Sequence, residues 1–207
     1  MKNMTRFTVI LLILLGISNC ATMNESECLQ ADWMMIGIED GAAGRQLSYI
    51  GTRRKACADH GVTPNLEAYN AGRAEGLKQF CTYKNGFRHG SRGNAQSEVC
   101  QGTLVEQYAG GFKKGSEIYA MDQEINQMVS HQRSKEAELA ALDDQIRLAE
   151  TKLVAKAGSQ EARISQLDHY NHLKDDRNAL VGYLTSLDGD IAAKRQQRDA
   201  LFAQYNR

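Results

Sequence analysis

The chain has 207 residues, 25 basic and 25 acidic, so its formal net charge at neutral pH is zero with histidine neutral. That balance leaves no basic footprint for a nucleic-acid partner. Eighteen glycines and five cysteines, against one proline and one tryptophan, are the features that any fold must explain.

Lys2 and Arg6 form a positive start, followed by an apolar run from Phe7 to Ile17. The run is too short to cross a bilayer as a helix, which takes about 20 residues. It ends in "ISNC" at Cys20. This order resembles the lipobox of bacterial lipoproteins, with Asn19 where that family usually carries Gly, Ala or Ser. The resemblance implies that the Cys20 thiol receives diacylglycerol, that the chain is cut before it, and that the new amine is acylated. One acyl chain holds only marginally, at about 0.8 kcal/mol per buried CH₂, whereas two or more anchor stably. Position 21 is Ala rather than Asp, which by the family's sorting rule implies the outer membrane, periplasmic face. The expectation is a signal peptide over 1–19 and a tether over 20–27. Losing Lys2 and Arg6 leaves 23 basic and 25 acidic residues, a net charge of −2.

Four cysteines remain: Cys28, Cys57, Cys81 and Cys100. An even number in an exported chain reads as two disulfides. Three connectivities are possible, and the local one, Cys28–Cys57 with Cys81–Cys100, is favoured. Cys57 and His60 have the spacing of half a zinc site, but no second close pair accompanies them, so no metal is expected.

"ADWMMIGIEDGAAG" predicts a helix from about Asp32 with Gly44 near its end, and "YIGTRRKACADHG" a second closed by Gly61. "RRK" at 53–55 reads as a solvated face, with a phosphate or lipid-headgroup site the lesser alternative. Thr63 as N-cap and Pro64 at the first helical position open a third helix, carried by Leu66, Tyr69, Leu77 and Phe80. Lys84–Gly86 is a turn signal. "TLVEQYAGGF" begins a last helix that continues into the second half.

Fourteen glycines lie between Cys20 and Gly115 and three after it. An aromatic followed by glycines four apart occurs in "YNAGRAEG", "YKNGFRHG" and "YAGGFKKG", and more loosely in "WMMIGIEDG". Residues four apart share a helix face. Gly72 with Gly76, and Gly111 with Gly115, therefore make smooth strips against which another backbone can lie. The charges inside the motifs exclude a membrane reading. Gly86, Gly90 and Gly93, among polar residues, read instead as turns. The aromatic–glycine repeat, the paired cysteines and the lipobox together resemble proteobacterial envelope lipoproteins classed only as a domain of unknown function. The residues that carry this run from Cys28 to Gly115, and the resemblance implies no activity.

Beyond that region Ile125, Met128, Gln132, Lys135, Leu139, Leu142, Ile146, Ala149 and Leu153 keep a 3-4 heptad spacing. "AGS" at 157–159 breaks it. A second stripe through Ile164 and Leu167, then Leu180, Leu184, Leu187, Ile191, Leu201 and Tyr205, slips between Leu167 and Leu180. Gly182 and Gly189 are candidate kinks. The fold class is therefore mainly α: a small disulfide-stapled, glycine-rich helical domain over 28–118, then an antiparallel, coiled-coil-like helical hairpin over 119–207. The hairpin is expected to be loose, needing a partner helix or a second copy to bury its stripe.

No phosphate loop, zinc-protease helix or nucleophile elbow is present. Asp32 and Glu39 share a helix face, with Asp40 beside them, and read as solvated charge rather than an acid–base pair. His169 and His172 lack a third ligand. The expectation is thus a structural or protein-interaction lipoprotein with no catalytic residue, cofactor or metal, docking an envelope protein or itself through the hairpin. The alternative is a small-ligand or glycan module with Trp33, Tyr69, Tyr83, Phe87 and Tyr108 lining a groove. An envelope enzyme is the third reading.

Overall fold

The computed structural model describes residues 23–155 and 158–205. Cys20 and the signal segment lie outside them. The described residues form seven α-helices and a short 3₁₀ turn, with no strand among them. They divide into two compact units. One takes the residues up to Asn85 together with Ser97–Ala109, the other Gly86–Gln96 together with the residues from Gly110. This division does not coincide with the boundary near 118 that glycine content suggests.

In the first unit, α1 (Glu25–Leu29) opens with a capping box, in which the Asn24 side chain accepts from the Glu27 amide and the Glu27 carboxylate accepts from the Asn24 amide. α2 (Trp33–Ala42) starts at Asp32, whose Oδ1 accepts from the amides of Met34 and Met35, each at 3.0 Å. The chain leaves α2 through Gly44, at φ +66°. The 3₁₀ turn Leu47–Tyr49 leads into α3 (Ile50–Ala58), and Gly61, at φ +70°, turns the chain after it. α4 (Leu66–Phe80) is capped by Asn65, which accepts from the Ala68 amide at 3.0 Å. The start therefore sits two residues later than Thr63 and Pro64 suggest. Cys28 is bonded to Cys57, and Cys81 to Cys100. Trp33 and Tyr69 pack with the first of these bridges into one buried cluster.

Glycine explains how α2 and α4 meet. A methyl group at Gly37 or Gly41 would come within 3.0 Å of α4 backbone at Arg73 and Leu77; one at Gly72 or Gly76 would do the same to α2 at Met34 and Ala42. The two helices thus lie backbone against backbone, four glycines deep, a separation that no side chain permits. The Phe80 ring covers Gly44, where a Cβ would overlap it.

The second unit repeats the device. α5 (Tyr83–Ser91) is helical through Gly86 and Gly90, so the turn reading fails there and holds only for Gly93, at φ +71°. The cause is packing: a Cβ on Gly90 would strike Ser116, and one on Gly115 would strike Phe87 and Ser91. The Tyr119 ring covers Gly93 as Phe80 covers Gly44. The spacing of 37, 41 and 44 returns at 86, 90 and 93, and that of Gly72, Gly76 and Phe80 at Gly111, Gly115 and Tyr119.

α6 (Leu104–Val154) and α7 (Gln160–Tyr205) form the hairpin. All nine α6 seam positions named above are buried or half-buried. On α7 the seam is cleaner than the apolar pattern indicates. It runs through Gln166, Tyr170, Leu173, Arg177, Leu180, Leu184, Leu187, Ile191, Lys194, Arg198, Leu201 and Tyr205 without a slip. Ile164 and Leu167 lie off it, 54 % and 49 % exposed. Polar residues on the seam are tied across the pair. Lys194 meets Glu124 at 2.6 Å, Arg198 meets Asp122 at 2.8 Å, and the Tyr170 hydroxyl donates to Glu150 at 3.0 Å. Gly182 and Gly189 sit within an uninterrupted helix and have no atom near where a Cβ would stand.

Candidate functional site

The five rings read as a groove lining do not make one. Trp33, Tyr69, Phe87 and Tyr108 are between 0 % and 8 % exposed, and only Tyr83 is open, at 39 %. They are divided between the two units, with Phe87 in the second. Tyr108 stacks on Phe80 at 5.6 Å between ring centroids, and Phe87 packs on Phe202 at 5.5 Å. Their apolar area is spent on cores because a glycine-rich module has few other large side chains to bury.

The charged centre of the first unit is Asp40, 1 % exposed. Its carboxylate accepts from Arg53 through Nε at 3.1 Å and Nη2 at 2.8 Å, and from the Tyr69 hydroxyl at 3.0 Å. Arg45 approaches at 3.4 Å and also lies over the Tyr49 ring at 4.1 Å. A two-pronged arginine is the geometry that satisfies a buried carboxylate. Burial, reinforced by the Asp40 charge and hydrogen bond, pushes the Tyr69 hydroxyl up to about 12. The hydrogen bond to Asp40 raises the Arg53 guanidinium. Arg53, the first residue of "RRK", is therefore a core ion-pair partner rather than a solvated charge. Asp32 is occupied as a helix cap and Glu39 is exposed, so the three carboxylates of α2 do not converge.

Beside this network the first unit has an open groove of about 580 Å³. Three segments build it: Gln46 and Leu47 after α2, the α4 face bearing Asn70, Arg73 and Leu77, and the stretch from Glu98 to Leu104. The Cys81–Cys100 bridge ties the third segment to the C-terminal end of α4. Arg73 Nη2 donates to the Arg45 carbonyl at 2.8 Å. Arg73 Nε is buried with no hydrogen-bond partner among the described residues. The groove is not legible in the sequence: Asn70, Arg73 and Ala74 fall inside "YNAGRAEG", but that motif is marked by its glycines, and nothing local joins these residues to Gln46, Leu47 or the Glu98–Leu104 stretch.

On the hairpin, His169 and His172 are exposed, and His172 stands 3.9 Å from Asp176. No group of three metal-ligating side chains occurs among the described residues. No described helix is long and apolar enough to cross a membrane.

With the glycine-packed pairs and the paired cysteines in place, the family comparison falls on the same part of the chain. Residues 32–130 match a family described as a protein of unknown function, DUF2799. The DUF2799 match takes in both glycine-packed helix pairs and ends inside α6, leaving the rest of α6 and the whole of α7 outside. No curated protein and no solved structure matches the chain.

Proposed function

We propose that this protein is a lipid-anchored lipoprotein of the outer membrane, on its periplasmic face, whose helical hairpin docks another envelope protein and which catalyses no reaction. Support for the anchor is the Lys2–Cys20 segment, with a cysteine directly after an apolar run. The two disulfides suit an oxidising compartment.

The observation that carries the docking role is the surface around the hairpin turn. Leu148, Val154, Ile164 and Leu167 are 61 %, 80 %, 54 % and 49 % exposed. Single exposed apolar residues are ordinary; four within twenty residues of sequence, on either side of one turn, support the reading of a contact surface. The hairpin satisfies its own seam, so no second copy is needed to close it. Of the two occupants, another envelope protein or a second copy of this chain, this reading takes the first.

The test is photo-crosslinking in intact cells from an unnatural residue at Ile164 or Leu167, with Gln145, an exposed polar position on α6, as control. A discrete protein adduct from the turn positions and none from Gln145 is expected. No adduct, or equal adducts from all three, overturns the docking role. An adduct between two copies of this chain replaces the heterologous partner with self-association.

A further inference from the structure

We infer that a groove beside α3, lined by Arg54 and Lys55, holds the phosphodiester headgroup of an anionic phospholipid. The inference deepens the proposed anchor and rests on it for the source of the ligand. Arg53, the first cation of "RRK", is spent on Asp40. The other two are exposed and have no ion-pair or hydrogen-bond partner among the described residues. They line an open groove of about 580 Å³ together with Gly51, Ala58, Val62 and Thr63. Gly51, Arg54, Lys55 and Ala58 fall at i, i+3, i+4 and i+7 of α3, which is one helix face. A Cβ at Gly51 would meet nothing within 4 Å, so that end of the face is open. The lining holds two cations and no carboxylate; Asp59, the C-cap of α3, stays outside it.

The occupant follows from where the groove sits. Met23 packs on the Cys28–Cys57 bridge, its Sδ 3.9 Å from Cys57 Sγ. Val62 packs on the same buried cluster and also lines the groove. Three peptide steps separate Cys20 from Met23, a reach of at most about 11 Å. An acylated Cys20 would therefore hold α3 close to the lipid headgroups. Arginine binds phosphate as a fork and lysine as a point charge, and the Thr63 hydroxyl adds a donor. Ala58 and Val62 give the glycerol carbons an apolar surface, which a free phosphate would leave unused. A choline headgroup would bring its ammonium to two cations, with no carboxylate in the lining to receive it. A singly charged anionic lipid meets neither objection.

The test uses the oxidised full chain, labelled with nitrogen-15 in a neutral maltoside detergent, and follows the backbone amides of Gly51 and Thr63. The probes are dihexanoyl phosphatidylglycerol, dihexanoyl phosphatidylcholine and inorganic phosphate. Each arrives from solution, so the titration reads the groove whether or not Cys20 is acylated, and the mass of the N-terminal peptide reads the anchor separately. Phosphatidylglycerol is expected to move both amides saturably, and phosphatidylcholine to bind about tenfold more weakly or worse. Each cation near an anionic headgroup contributes about a factor of five, so Arg54→Gln with Lys55→Gln should weaken binding about tenfold or more. Arg54→Lys with Lys55→Arg keeps both charges and should keep binding, which a loss of fold would not. Lys152→Gln with Arg163→Gln, two exposed cations of the hairpin, should leave binding unchanged. Amides that stay still at phosphatidylglycerol concentrations on the order of 10 mM overturn the site. So does an equal response to phosphatidylcholine, or an equal loss from the hairpin pair. An equal response to inorganic phosphate assigns the groove to a free anion and overturns the lipid.

Discussion

Replacing Gly72 with alanine tests the packing of the first unit at its tightest point. The added Cβ would stand 2.8 Å from the Met34 carbonyl carbon and 3.1 Å from the Ile38 nitrogen, and closer still to the Met34 oxygen. Non-bonded carbons need about 3.5–4.0 Å, so the α2 and α4 axes must part by roughly 1 Å, a gap that forfeits a quarter to a half of each contact's attraction. Overpacking of this kind costs about 1–3 kcal/mol. Parting the helices also loosens Tyr69 and Leu77, and alanine returns only about 1 kcal/mol of helix propensity. The net expectation is a loss of about 1–2 kcal/mol, which for a unit of this size lowers Tm by roughly 5–15 °C. Far-UV circular dichroism during heating reads it. Gly182→Ala and Gly189→Ala are matched controls, because their Cβ atoms meet nothing within 4 Å. Each should stabilise by about 0.5–1 kcal/mol. If Gly72→Ala raises Tm as Gly182→Ala does, the backbone-to-backbone seam is wrong.

Other expectations follow from the same structure. Because the native state holds the Tyr69 proton more tightly than the unfolded chain, stability is intact below pH 10 and declines as pH rises towards 12. The loss is about 2–3 kcal/mol. Tyr69→Phe should flatten that decline in urea titrations at alkaline pH, and an unchanged slope would remove Tyr69 as its source. The disulfides close separations of 29 and 19 residues. Loop entropy assigns each about 3–4 kcal/mol, so Cys81→Ser with Cys100→Ser should lower Tm by about 10 °C or more. On the hairpin, Leu180→Ala should cost about 2–5 kcal/mol. Ile164→Ser with Leu167→Ser should change stability by less than about 1 kcal/mol while abolishing an adduct formed from an unnatural residue at Val154, 80 % exposed beside the same turn. The opposite ranking would restore the slipped seam.

What could be read in the sequence depended on whether the signal was local. The α6 stripe was legible because apolar residues occupy most of its seam. The α7 stripe was not, because Gln166, Tyr170 and Arg177 hold seam places while Ile164 and Leu167, off the seam, imitate it. The glycine strip of Gly72 and Gly76 showed itself by its spacing. That Gly86 and Gly90 continue a helix did not, since the polar residues between them suggest a turn, and the backbone of α6 that Gly90 packs against lies more than twenty residues on in sequence. Pro64 and Thr63 offered a plausible cap two residues before the better one at Asn65. Asp40 looked like its neighbour Glu39 because both lie on one short helix. What separates them is an arginine 13 residues on and a tyrosine 29 residues on. The Arg73 groove gave no signal, as its walls come from three stretches that only the fold and the second disulfide assemble.

The most direct test of the proposed role is the mass of the N-terminal peptide from protein recovered in the membrane fraction of its native host. The account predicts a chain that begins at Cys20, carries acyl groups on that residue and keeps both disulfides. A chain recovered in the cytosol with Met1 or Lys2 at its start and free thiols would contradict it.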